Sequence, residues 1–170
     1  MTRQVVFRGR KFDVAVDTTV LPDGTTLQRD VVLHRGAVAL LALPDPEHVC
    51  LLRNQRFTVG ETLLEIPAGT LEPGEEPERA AVRELAEETG YRAGRWRKLA
   101  EFYPSPGVLS ERMHLFLAEE LTPGPMQPEA GEQLEPQMVA WGDAVGWCLD
   151  GTIRDAKTLV ALLLWDRLRA

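Results

Sequence analysis

The alternation of apolar and polar residues predicts short strands in the first 70 positions of the chain. The apolar runs there are separated by Pro22-Asp23-Gly24 and by Pro44-Asp45-Pro46, which are strong turn signals. The first of these turns is expected to join two strands in a hairpin. The predicted strands lie at 12–21, 25–34, 36–43, 48–55 and 63–68.

The remainder of the chain combines helical patterns with further strands. Residues 77–90 predict a helix, because Pro77 suits a first turn, Gly90 suits a C-terminal cap and good helix formers lie between them. The last segment, 155–169, has apolar residues on nearly every side and is expected to be buried. The other predicted elements are strands at 96–103, 111–118 and 137–141, a Pro-rich loop at 122–136 and a helix at 142–150. We therefore expect an α+β protein in which helices pack on a mixed sheet.

The composition of the chain limits the classes of protein to which it can belong. The 170 residues, of which 44% are hydrophobic and 26% charged, indicate one soluble domain. The net charge of −7 argues against a nucleic-acid binder, although a locally positive cleft can still hold a small anion. No apolar run reaches the ~20 residues that span a bilayer, and the N-terminus lacks the features of a secretory signal. Cys50 and Cys148 lack metal-binding spacing and are expected to be reduced thiols, so a cytoplasmic location is predicted.

The predicted helix and the turn before it carry six glutamates, at positions 75, 76, 78, 84, 87 and 88. Like charges three or four residues apart destabilise a helix by roughly 0.2–0.5 kcal/mol per pair. Glu84, Glu87 and Glu88 share one face of the helix, and three converging carboxylates suit Mg²⁺ or Mn²⁺. The alternative is an acidic face that is simply solvated.

The stretch from Gly69 to Tyr91 resembles the Nudix box, Gx5Ex7REUxEExGU, in which U is a bulky aliphatic residue. Every fixed position of the box is met, and the one departure is Tyr91 at the final U. The resemblance implies a Nudix αβα sandwich in which the box forms a loop, a helix and a loop. It also implies an enzyme that uses divalent metal ions to hydrolyse a nucleoside diphosphate linked to another group.

Within the box, the resemblance assigns a role to each matched residue. Glu84, Glu87 and Glu88 would be catalytic metal ligands for Mg²⁺ or Mn²⁺, with two or more ions present when substrate is bound. The carbonyl oxygen of Ala68 would be a further ligand. The structural residues would be Gly69, which allows the backbone turn, Glu75 and Arg83, which pair with each other, and Gly90.

The flanking residues resemble the branch of the family that cleaves ADP-ribose and ADP-sugars. The matching segments are RGRKFDV, LLRNQRF, LLEIPAGTLEPGE and Ser105-Pro106-Gly107 followed by Glu111. This branch commonly forms homodimers that exchange N-terminal strands, which implies a β extension at 1–35 and a Nudix domain at 36–170. The implied substrate contacts are Arg56 and Glu72 at the diphosphate, Ser105 and Glu111 at the ribose, and Phe12, Arg29 and Asp30 at the adenosine, reached from a partner subunit.

The implied mechanism uses a water nucleophile that metal ions activate and a carboxylate deprotonates. In the acidic loop 129–135, Glu132 falls on the catalytic glutamate of the branch, and Glu129 is the nearest substitute. The expected reaction converts ADP-ribose to AMP and ribose 5-phosphate. Open alternatives are another nucleotide sugar, a dinucleoside polyphosphate, coenzyme A, a regulator that binds ADP-ribose without cleaving it, and a purely structural module. The intact box argues against the last two.

Overall fold

A computed structural model describes residues 1–127 and 133–169, which form ten strands and three helices. The helices are α1 (Pro77–Thr89), α2 (Trp141–Asp150) and α3 (Ala156–Arg169). The strands are β1 (Thr2–Arg8), β2 (Phe12–Val20), β3 (Thr26–His34), β4 (Ala37–Ala42), β5 (His48–Arg56), β6 (Glu61–Glu65), β7 (Ala68–Thr70), β8 (Tyr91–Phe102), β9 (Met113–Pro123) and β10 (Leu134–Ala140).

The strands form three sheets. A mixed sheet has the order β7-β4-β9-β8, in which β4 and β9 are parallel and the other neighbours are antiparallel. A second sheet, β10-β5-β6, and a third, β1-β2-β3, are entirely antiparallel. Each described helix follows a strand or a short turn, so strands and helices are mixed along the chain as the sequence predicts.

Helices cover both faces of the mixed sheet, and the alternation along β4 shows this most directly. All six residues of β4 are buried. Ala37, Ala39 and Leu41 pack in one core with residues of α2 and α3. The residues between them, Val38, Leu40 and Ala42, pack in a second core with Ala80, Ala81 and Leu85 of α1. A fully buried leucine contributes about 1.5–3 kcal/mol, so these two cores hold α1 on one face and the C-terminal helices on the other.

Two of the differences between the predicted and observed elements concern the strand at 63–68 and the last helix. The strand expected at 63–68 is divided into β6 and β7, with Pro67 between them. The carbonyl oxygen of Pro67 accepts a hydrogen bond from Leu40 N, although proline itself has no N–H to donate. The expectation that the last helix is buried was wrong: Leu163 is 40% exposed and Leu168 is 58% exposed. One stripe of α3, including Ala161 and Leu162, packs on the core, and the opposite side faces outward.

The N-terminal residues form a separate sheet beside the sandwich. The predicted hairpin is present as β2 and β3, and β1 adds a third strand that the sequence analysis did not identify. The sheet meets the rest of the chain where Val32 N donates to Val108 O and Ser110 N donates to Val32 O. The division of the chain at residue 35 stays a prediction. Among the described residues, no helix is long and apolar enough to cross a membrane.

Candidate active site

The acidic helix α1 is oriented by its apolar side and by its two ends. Pro77 occupies the first turn, where backbone N–H groups have no partner within the helix, so its missing N–H loses no hydrogen bond. Gly90 ends the helix in the left-handed conformation, with φ of 74°, and its N–H donates to Ala86 O at 3.0 Å. Because Leu85 and its neighbours pack on β4, the carboxylates of Glu84 and Glu88 are directed toward β7 and are themselves buried, at 8% and 3% exposure.

Arg83 neutralises much of the crowded negative charge on α1. Its Nε and Nη2 donate to the two carboxylate oxygens of Glu75 at 3.0 and 2.9 Å. Its Nη1 donates to Glu84 at 2.6 Å and to Glu87 at 3.1 Å. The hydrogen bond with Glu75 is the main reason that the pKa of Arg83 is raised and the pKa of Glu75 is lowered. One guanidinium thus ties the loop before α1 to the helix and offsets the repulsion between the glutamates.

The backbone of β7 lies directly against two of these carboxylates. A Cβ atom on Gly69 would lie 1.8 Å from Cδ of Glu84, a distance at which no side chain fits. The Oε2 atom of Glu88 accepts a hydrogen bond from Ala68 N at 2.8 Å. The sequence analysis assigned Gly69 to a backbone turn, but its φ is not positive. Glycine is required here because the Glu84 carboxylate approaches the chain so closely.

These groups line a cleft of about 680 Å³ that contains both acidic and basic side chains. The acidic residues that line it are Glu72, Glu84, Glu88, Glu111 and Asp155, and the backbone of Ala68 and Gly69 lies beside them. The positive residues that line the cleft are Arg10, Lys11, Arg35, Arg56 and Lys157. A cleft of this kind suits an anionic ligand that is bridged to the carboxylates by cations.

The donor set fits a hard divalent cation. Carboxylate and backbone carbonyl oxygens are the ligands that Mg²⁺ and Mn²⁺ prefer, and the cradle between Glu84, Glu88 and β7 would be filled by any Cβ at Gly69. Within the described part of the chain, no three acidic, histidine or cysteine side chains converge as a ready metal cluster. Glu87 accepts a hydrogen bond from Arg83 and lies outside the cleft lining.

The structure brings together some of the predicted substrate contacts and separates others. Arg56, Glu72 and Glu111 line the cleft with the box residues. The side chain of Ser105 is exposed, and its carbonyl oxygen accepts hydrogen bonds within the loop that follows. The remaining predicted contacts belong to the N-terminal sheet and lie outside the cleft of a single chain: Phe12, which lines a smaller pocket, and Arg29 and Asp30, which are exposed on β3. Glu132 and Glu129 lie outside the described residues.

Among the charged residues that sequence reasoning missed, Asp155 and Lys157 line the cleft and Glu65 pairs with Lys157. Glu65 lies at the end of β6, and Asp155 and Lys157 lie at the start of α3. The signals were present but weak: Glu65 is part of the quoted segment LLEIPAG, and an Asp three residues before a Thr is a helix N-cap pattern. Neither signal indicated that the two segments meet.

Comparisons with known proteins agree with this geometry. Residues 33–162 match the NUDIX domain. The chain is 40% identical over 164 residues to the ADP-ribose pyrophosphatase of Bacillus subtilis (strain 168). The aligned residues cover 95% of this chain and 89% of the relative. It is 35% identical over 162 residues to the methanol dehydrogenase activator of Bacillus methanolicus, covering 92% and 86%. The crystal structure of an ADP compounds hydrolase superposes with a TM-score of 0.85 at 23% identity, over 99% of this chain and 91% of that one. The α+β sandwich expected from the sequence is thereby confirmed.

Proposed function

The chain belongs to the Nudix family of hydrolases, and we propose that it hydrolyses the diphosphate bond of ADP-ribose or a related nucleoside diphosphate sugar. Water adds to one phosphorus atom as the bridging P–O bond breaks, giving AMP and a sugar phosphate, which is ribose 5-phosphate when the substrate is ADP-ribose. The similarity to an ADP-ribose pyrophosphatase extends over 95% of the chain and supports this substrate class.

The observation that carries the proposal is the position of the Glu84 carboxylate against Gly69, in a cleft that also exposes Arg56. A carboxylate held this close to the backbone cannot be a freely solvated surface charge. Its place in the cleft puts it within the same space as a guanidinium, whose planar set of donors suits a diphosphate. Acidic residues for cations and a basic residue for phosphate are the two requirements of diphosphate hydrolysis.

The metal ligands in this proposal are Glu84, Glu88 and the carbonyl oxygen of Ala68, with Glu87 recruited from its pairing with Arg83. A bound Mg²⁺ or Mn²⁺, or two or more such ions, supplies charge neutralisation at the diphosphate and makes water more acidic. Arg56 contacts the diphosphate oxygens, and Glu72 contacts the diphosphate region or its metal ions; both residues line the cleft. Glu132 accepts the proton of the attacking water.

The proposal assigns the two ends of the substrate to different parts of the protein. Ser105 and Glu111 contact the ribose. Phe12, Arg29 and Asp30 contact the adenosine from the partner subunit of a homodimer. Their positions on the N-terminal sheet, away from the cleft of their own chain, agree with such an arrangement.

A panel of substrates tests the proposed function. ADP-ribose, ADP-glucose, ADP-mannose, a diadenosine polyphosphate and coenzyme A are each incubated with the protein and Mg²⁺ or Mn²⁺, and the products are separated by chromatography. We expect AMP and ribose 5-phosphate from ADP-ribose, and a loss of on the order of 10²-fold in kcat for Glu88→Gln, because a metal-activated nucleophile requires this charge. Preferred cleavage of coenzyme A or the dinucleoside polyphosphate would reassign the substrate within the family.

A second candidate function is the regulation of another enzyme. The similarity to the methanol dehydrogenase activator, at 35% identity over 92% of this chain, is the observation that favours it. The two candidates separate in the same assay. A regulator that acts by binding alone would leave every member of the panel uncleaved. Glu88→Gln would then have no hydrolytic activity to reduce.

A further inference from the structure

A buried carboxylate pairs with two of the cations that line the cleft. Glu65 is 1% exposed. Its Oε1 accepts from Nε of Arg56 at 2.7 Å, and its Oε2 accepts from Nη2 of Arg56 at 2.6 Å. The Nζ of Lys157 also donates to Oε2, at 2.5 Å. Burial alone would raise the pKa of Glu65, but Arg56 and Lys157 outweigh it and the pKa is lowered, so the carboxylate is charged.

Lys157 occupies a position that the helix itself disfavours. It lies in the first turn of α3, where the helix dipole is positive and a second positive charge is destabilising by about 0.3–1 kcal/mol. Asp155, just before the helix, offsets part of this cost: it accepts a hydrogen bond from Lys157 Nζ at 3.0 Å and caps the helix by accepting from Thr158 N at 3.0 Å. Asp155 and the buried Glu65 together hold the ammonium group of Lys157 at this end of the helix.

The backbone around Lys157 is fixed to the strand that carries Glu65. Thr158 is completely buried, and its hydroxyl oxygen accepts a hydrogen bond from Ile66 N at 2.9 Å while donating to Asp155 at 2.5 Å. Ile66 follows Glu65 directly in the chain. The start of α3 and the end of β6 are thus joined at both the backbone and the charged side chains, which sets the position of the ammonium group.

Both cations line the cleft and keep donors that their acidic partners do not take, with the Lys157 side chain 10% exposed. The pairing with Glu65 engages the Nε and Nη2 edge of Arg56, and 41% of the side chain remains exposed. Lys157 carries three N–H donors, of which Glu65 and Asp155 take two. Arg56 and Lys157 both line the cleft that contains Glu84 and Glu88.

We propose that Lys157 is a further substrate-binding residue, which contacts the diphosphate beside Arg56, and that Glu65 is a positioning residue that holds the two cations as one clamp. This inference rests on the proposed function, since it concerns the nucleoside diphosphate that the cleft accepts. A diphosphate carries negative oxygens on two phosphorus atoms, and two cations fixed on one carboxylate match that spread of charge.

Lys157→Met tests the clamp, because methionine keeps most of the side-chain length and removes the charge. Glu65 retains its two hydrogen bonds to Arg56, so the fold is expected to persist. Lys98→Met is the matched control, since Lys98 also pairs with a glutamate, Glu101, but lies on the exposed surface away from the cleft. ADP binding is measured by calorimetry with Mg²⁺ present, and kcat and KM are measured with ADP-ribose.

We expect Lys157→Met to weaken ADP binding and raise KM by roughly tenfold or more, the value of a hydrogen bond to a charged group, while Lys98→Met leaves both unchanged. Lys157→Arg keeps the charge and is expected to bind ADP more tightly than Lys157→Met. Unchanged ADP affinity in Lys157→Met, equal losses in the Lys98 control, or equal losses in the arginine and methionine variants would overturn the proposal.

A double-mutant cycle tests the role of Glu65. Glu65→Gln is expected to raise KM more than it lowers kcat, because both cations lose their orientation. Adding Lys157→Met to Glu65→Gln should then change KM little further, since the effects of substituting residues that act as one unit are not additive. Additive effects would mean that Glu65 supports the fold without positioning the clamp.

The same measurements separate this inference from the proposed function. If the protein binds ADP in a Lys157-dependent way but cleaves no member of the substrate panel, the proposed function is refuted and the proposed clamp is retained. Normal hydrolysis of ADP-ribose by Lys157→Met would refute the proposed clamp, and the proposed function would be retained. Wild-type protein that neither binds ADP nor cleaves any member of the substrate panel would refute both.

Discussion

Gly69 and Arg83 show how single residues make an acidic helix compatible with folding. The missing side chain of Gly69 leaves space for the Glu84 carboxylate against β7, and Arg83 places one positive charge among Glu75, Glu84 and Glu87. Both residues accommodate glutamates whose mutual repulsion destabilises the helix. The box glycine and the box arginine therefore serve the position of the carboxylates as much as the shape of the loop.

Gly69→Ala is expected to reduce kcat by on the order of 10²-fold, because the Glu84 carboxylate must move by about an ångström or more to admit the new Cβ. The matched control is Gly146→Ala, since nothing lies within 4 Å of the Cβ position of Gly146. That change is expected to leave kcat unaltered and to stabilise α2 by up to ~1 kcal/mol. Steady-state kinetics and thermal unfolding measure both variants. Normal activity in Gly69→Ala would show that the position of Glu84 is unimportant.

Glu132→Gln is expected to lower kcat by roughly 10²–10⁴-fold and to leave KM and metal affinity close to wild type, since a general base acts in the transition state. Glu129→Gln should have a milder effect, and the acidic limb of the pH–rate profile should disappear in the Glu132 variant alone. The reverse ranking would mean that the match of this loop to the family pattern is shifted by three residues. If neither change matters, the base is a box glutamate.

At the scale of elements, α1 and α3 deliver opposite charges to the same cleft. The helix α1 presents Glu84 and Glu88 from the middle and end of its length, with its apolar face on β4. The helix α3 delivers Lys157 from its first turn, which the Asp155 cap and the Thr158 hydroxyl fasten to β6. One stripe of α3 also packs on the core along the length of the helix, so its exposed residues lie on the outer side.

The junction of β6 and α3 should make stability depend on pH in the acidic range. The pKa of Glu65 in the folded protein lies below its ordinary value of 4.5. A carboxyl with a lowered pKa contributes stability above the unfolded pKa and loses it as the pH falls through the folded pKa. Glu65→Gln is therefore expected to cost roughly 3 kcal/mol near neutral pH and to flatten the fall in unfolding free energy below about pH 4.5. Urea unfolding across the acidic range measures this dependence.

Glu61→Gln is the control for that prediction. Glu61 also belongs to β6 and pairs with an arginine, Arg154, but its side chain is 47% exposed. Exposed pairs contribute about 0–1 kcal/mol, so this variant should follow the wild-type curve closely. Equal losses in the two variants would show that the burial of the Glu65 pair has no particular importance.

At the scale of the whole molecule, the N-terminal sheet leaves apolar side chains in solvent. Phe7 is 55% exposed and Val20 is 66% exposed. We predict that this sheet is exchanged in a homodimer, which would cover such residues and complete the adenosine pocket. The intact chain should have the mass of a dimer at micromolar concentration, as measured by light scattering, and a chain that begins at Gly36 should be unstable or aggregated. A monomeric mass for the intact chain would count decisively against exchange.

The sequence by itself determined features that depend on neighbours along the chain. The spacing of Glu84, Glu87 and Glu88 follows from the helical repeat, and Pro77 and Gly90 mark the ends of that helix because their backbone preferences are local. The turn at 22–24 fixed the hairpin of β2 and β3 for the same reason. The box pattern, read along 23 positions, was enough to identify the acidic side of the site.

The tertiary structure alone decided which distant segments meet. Glu65 and Lys157 are 92 residues apart in the chain, and neither has a local pattern that points to the other. The role of Gly69 likewise depends on a carboxylate that reaches it from another element, and the exposure of α3 depends on which stripe the sheet covers. Local preferences are set by a few adjacent dihedral angles, whereas a clamp or a close approach exists only after the sheet has brought its parts together.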